Sequence, residues 1–127
     1  FPAGIVSAIA VKDQIAVFTA TDGKVRAVDV ASGQEKWTLT GGAPFFASAA
    51  IAGDTVYVAD LNAVVRAIQL QSGTLRWKLS LGTDPTVKAP GMVYGGPIVS
   101  GGRLFVATCA LEAGGKANTA VVCIGEK

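Results

Sequence analysis

The chain is 127 residues long, half of them apolar, with 16 Gly, no His and only 16% charged residues, against about 25% in an average domain. One compact, turn-rich domain fits these figures and a disordered chain does not. The net charge of +2 is too small for a nucleic-acid surface or a polybasic membrane patch, and no apolar stretch nears the roughly 18 residues of a membrane helix.

Phe1-Pro2 opens the chain without Met or a basic and apolar leader, as in a processed or excised piece. Ile5 to Val11 is apolar and β-branched and predicts a strand. Lys12-Asp13-Gln14 turns the chain into a second strand, Ile15 to Thr19. Asp22-Gly23 between two apolar runs predicts a type I′ hairpin turn, with positive φ at both central residues. Lys24 to Val30 is a third strand, Ala31-Ser32-Gly33-Gln34 a turn, and Glu35 to Leu39 a fourth strand. Four more strands are predicted at Phe46 to Ile51, Thr55 to Ala59, Val64 to Leu70 and Leu75 to Leu81, with turns at Gly53-Asp54, Asn62-Ala63 and Ser72-Gly73. A third set begins at Met92 to Val99 and passes through Gly101-Gly102 into Arg103 to Thr108. It resumes at Ala120 to Ile124 after a long loop, Cys109 to Thr119, with no fourth strand. No window carries a 3.6-residue apolar stripe, so no helix is expected.

Val25 to Thr40 aligns without a gap on Val65 to Ser80, an offset of 40 residues with seven of sixteen positions identical. Such a period of short strands is that of β-propeller blades. The expected fold is all-β: a partial propeller of about three antiparallel blades, the last lacking its outer strand. One unit spans 1–127, with blades at about 5–40, 46–81 and 92–125. A four-stranded blade has two apolar faces and buries them only between neighbours, so the outer faces are expected to meet further blades or another copy.

The run Ala27-Val28-Asp29-Val30-Ala31-Ser32-Gly33-Gln34-Glu35-Lys36-Trp37 resembles the Ala-x-Asp-x-x-x-Gly-x-x-x-Trp signature of the pyrroloquinoline quinone (PQQ)-type propeller repeat. Ala67 to Trp77 resembles it too, with Gln69 in place of the Asp. The resemblance implies that Trp37 and Trp77 dock between blades and that Gly33 and Gly73 turn the chain before the outer strand. Ala27, Asp29, Gly33, Trp37, Ala67, Gly73 and Trp77 are then structural anchors. Quinoprotein dehydrogenases of this kind use adjacent cysteines, a Trp on the quinone and a calcium held by carboxylate and amide groups. Here Cys109 and Cys123 lie 14 residues apart and both Trp hold anchor positions, so no cofactor or metal is expected.

Several residues have two readings. Arg26 and Arg66 share one repeat position, where the third unit has Val122; either they present a basic surface or each pairs with a carboxylate or carbonyl of the neighbouring blade. Asp60-Leu61-Asn62 could offer oxygens to calcium, but the pattern is that of an Asx turn. Gly114-Gly115-Lys116 lacks the flanking residues of a phosphate loop and reads as a hairpin tip. Carrying over the first blade's register puts Cys123 opposite Val106 and Cys109 three residues further, about 10 Å away. A disulfide forms only if the insertion bends the hairpin; otherwise both are small thiols buried in strands. Phe45, Phe46 and the Gly-Pro turns lie in inter-blade connections, which often carry binding surfaces.

Without His, catalysis by the usual triads, an imidazole base or a His-bearing zinc site is excluded within the chain. The resemblance implies a role in interaction or scaffolding within an exported bacterial repeat protein, periplasmic or extracellular, since many members resemble scaffolds such as the propeller lipoprotein of the outer-membrane barrel assembly machinery. Its partner would be a protein or a second copy, with no nucleic acid and no membrane insertion. Alternatives are a piece of a quinoprotein dehydrogenase whose active site lies in other blades, and an extracytoplasmic sensor domain.

Overall fold

The structure, a computed structural model, describes residues 3–5, 7–87, 91–93, 95–111 and 117–125. The described residues form strands, turns and irregular connections. The first sheet is β1 (Ala10–Lys12), β2 (Ile15–Thr19), β3 (Lys24–Asp29) and β4 (Glu35–Thr40), in chain order and antiparallel throughout. The second repeats it with β5 (Ala50–Ala52), β6 (Thr55–Ala59), β7 (Val64–Gln69) and β8 (Leu75–Ser80). The third has β9 (Ile98–Ser100), β10 (Arg103–Leu111) and β11 (Ala117–Gly125), with β10 in the middle. These are three blades of a partial propeller, the last with three strands.

Strand alternation sorts side chains between two joints. Ile15, Val17, Ala27 and Trp37 of the first blade pack with Val56, Val58, Ile68 and Leu70 of the second. The opposite face of the second blade, with Ala59 and Val65, packs with Leu104 and Val106 of the third. The middle blade is flanked on both sides, and its inner strands β5 and β6 are apolar at every position but Thr55, whereas the outer strand β8 alternates with Arg76, Lys78 and Ser80 and is largely exposed.

The innermost strands are shorter than expected: Ile5 to Val11 yields only β1, and Phe46 to Ile51 only β5. The residues ahead of them bond across the molecule instead. The Thr21 N–H donates to the Gly4 carbonyl and the Gly4 N–H donates to Thr21 Oγ1, both at 3.0 Å. The Ala8 N–H donates to Ser48 Oγ at 3.0 Å. Phe45 is fully buried in the first joint, so it belongs to the core and not to a binding rim. Met92 likewise precedes β9 and makes an isolated two-bond bridge with Cys109.

Two turns differ from the sequence expectation. At the Asp22-Gly23 hairpin only Gly23 has positive φ, +80°. The Gly23 N–H bonds the Ala20 carbonyl and the Ala20 N–H bonds the Lys24 carbonyl. The loop therefore has three residues and ends in a left-handed glycine, rather than being a two-residue type I′ turn. The doubly positive turn appears at Asp13-Gln14, φ 51° and 62°, where a two-residue loop joins β1 to β2. In the third blade the expected loop from Cys109 to Thr119 is mostly ladder, since β10 and β11 pair out to Leu111 and Ala117. The Gly114-Gly115-Lys116 tip lies outside the described residues.

Candidate functional site

The residues carrying the repeat signature meet at the joints between blades. In the first joint Trp37, 8% exposed, crosses from β4 to the second blade and donates its indole N–H to the Leu70 carbonyl at 2.7 Å. Its ring packs against Gly73: a Cβ at Gly73 would come within 2.6 Å of the Trp37 ring. Gly73 has φ +75° and donates its N–H to the Gln69 carbonyl, closing the turn before β8. Ala27 lies directly opposite Trp37 in the ladder and is fully buried, leaving room for the indole. Asp29 closes the corresponding turn of the first blade, its Oδ1 accepting the N–H groups of Ala31 and Ser32. In the second blade Ser72 reaches Gln69 through side chains instead.

Each of the two arginines pairs with an aspartate of its own blade, where one sequence reading had it pair with a carboxylate or carbonyl of the neighbouring blade. Arg26 Nη2 lies 2.6 Å from Asp22 Oδ2, and Arg66 Nη1 lies 2.8 Å from Asp60 Oδ2. Asp60 is fully buried, and its other oxygen accepts the N–H groups of Asn62 and Val64. Both carboxylate oxygens thus bond within the protein and close an Asx-type turn around Ala63, whose φ is +58°. In the third blade Thr108 and Val122 stand at the register positions of Asp60 and Arg66. Among the described residues, Thr108 Oγ1 is buried without a hydrogen-bond partner.

The second joint is built differently. Trp77 faces it from the register position that Trp37 holds, opposite Ala67, but it is 38% exposed. Its ring centroid lies 6.1 Å from that of Tyr57. A groove of about 920 Å³ opens there, walled by Tyr57, Trp77 and Leu79 on one side and by Arg103, Leu104 and Ile124 on the other. Gly125 occupies the register position of Asp29 and Gln69. The position matching Gly33 and Gly73 falls four residues later, outside the 127 residues.

Cys123 stands opposite Phe105, and Val106 opposite Val122, which shifts by one residue the register expected from the sequence. Cys109 is then four residues from Cys123's partner, about 13 Å along the ladder. The hairpin is extended and not bent back, and both cysteines are free thiols, Cys123 exposed and Cys109 half-buried. The sequence missed that Cys123 takes the place of Ala27 and Ala67; the signal was the ladder register, hidden by the longer hairpin.

Electrostatics at the joints is local. A hydrogen bond from Arg26 holds the Asp22 carboxyl below the usual carboxylate range, and one from Arg76 does the same for Asp54. The Asp54 bond in turn raises the Arg76 guanidinium above its ordinary value. Among the described residues, no three His, Cys, Asp or Glu side chains gather where they could hold a metal ion.

The sequence matches, over residues 1–124, the model of a family described as outer membrane protein assembly factor BamB. No curated protein matches it. The fold is similar to that of BamB from Moraxella catarrhalis, with a TM-score of 0.65, 21% identity, and coverage of 82% of this chain and 30% of that one. It is also similar to quinohemoprotein alcohol dehydrogenase from Comamonas testosteroni, with a TM-score of 0.71, 18% identity, and coverage of 93% and 21%. A third similar structure is quinohemoprotein alcohol dehydrogenase ADHIIG from Pseudomonas putida HK5, with a TM-score of 0.75, 19% identity, and coverage of 94% and 19%. At these identities the likeness is one of fold, and the chain spans less than a third of each of these proteins. With the family model covering all but the last three residues, the chain belongs to the PQQ-type repeat family.

Proposed function

We propose that the chain is a non-catalytic module for protein interaction or scaffolding, part of a larger exported PQQ-like repeat protein. The observation that supports this most directly is the use made of the signature residues. Trp37 and Gly73 hold the first two blades together, and the buried Asp60–Arg66 pair closes a turn within the second. In this reading residues 1–127 act as one partial propeller, with blades at about 5–40, 46–81 and 92–125. Its partner is a protein, met through blade faces such as that bearing Ile98 and Val121, 65% and 72% exposed. The family match to an outer-membrane protein assembly factor supports a periplasmic or extracellular location. No helix among the described residues is long and apolar enough to cross a membrane.

The likeness in fold to quinohemoprotein alcohol dehydrogenases supports a second reading, a piece of an enzyme whose reacting groups lie in other blades. The complete protein distinguishes the two when it is supplied with PQQ, calcium and an alcohol and dye reduction is followed. The scaffold reading expects no quinone-dependent reduction, and turnover that saturates with quinone overturns it.

A further inference from the structure

We draw no further inference here: the strongest candidate, the groove between the second and third blades walled by Tyr57, Trp77 and Leu79 on one side and by Arg103, Leu104 and Ile124 on the other, belongs to the joint already described, and nothing in the structure shows what covers it.

Discussion

Trp37 and Gly73, from different blades, are in contact through a ring and an α-carbon: a methyl group placed on Gly73 would come 2.6 Å from the indole. Gly33 holds the same place in the first blade, with nearly the same φ of +73°, and a Cβ there meets nothing within 4 Å. Both glycines satisfy the turn, but only one of them also makes room for a tryptophan.

Substituting each glycine by alanine separates the two demands. Gly33→Ala should cost about 1–2 kcal/mol, the strain of a left-handed alanine. Gly73→Ala adds overpacking against Trp37, about 1–3 kcal/mol more. Urea unfolding of both variants checks the difference, and equal losses would show that the indole moves aside freely.

The two tryptophans should also differ. Trp37→Ala removes a buried side chain and its bond to Leu70, and should cost about 3–5 kcal/mol. Trp77→Ala, at a half-open groove, should cost about 1 kcal/mol or less. Acrylamide should quench Trp77 first, which can be read by comparing emission of the Trp37→Phe and Trp77→Phe proteins.

The third blade supplies a natural replacement for the buried ion pair of the second. Asp60→Thr alone leaves Arg66 buried without its carboxylate and should cost about 3–5 kcal/mol. Asp60→Thr combined with Arg66→Val, the pair found at Thr108 and Val122, should cost less than the single change. A double-mutant cycle of thermal melts measures this coupling. A double variant as unstable as the sum of its parts would mean that Asp60 matters only as the acceptor for Asn62 and Val64.

Asp22 and Asp54 link stability to pH. Each carboxyl is held below its unfolded value by an arginine, so its contribution is fully present above about pH 4, the unfolded carboxylate range, and is lost as pH falls through the depressed folded value. Asp22→Asn should therefore lower the melting temperature at neutral pH, the gap from the parent closing in acid. The exposed Asp54–Arg76 pair should behave likewise and weaken with added salt.

Both thiols should titrate with Ellman's reagent without reductant, Cys123 rapidly and Cys109 more slowly because it is half-buried. A folded protein showing no free thiol would contradict the extended register of β10 and β11.

The sequence alone was enough for the strand plan and the 40-residue repeat, because these rest on local chemistry. Alternation, β-branched runs and turn residues each act within a few positions, and Ala27 to Trp37 closes much of its own hydrogen bonding. The Thr21 to Gly23 loop escaped it, since Asp-Gly serves both two- and three-residue hairpins and the choice depends on how far the ladder extends. Only the tertiary structure decided that Trp37 is an anchor and Trp77 an open one. The two lie in nearly the same local sequence, and what distinguishes them is whether a glycine turn from the next blade lies over the ring. The same holds for Cys109 and Cys123: cysteine spacing along a chain is a count, whereas disulfide reach is a distance, and the pairing of Phe105 with Cys123 sets that distance.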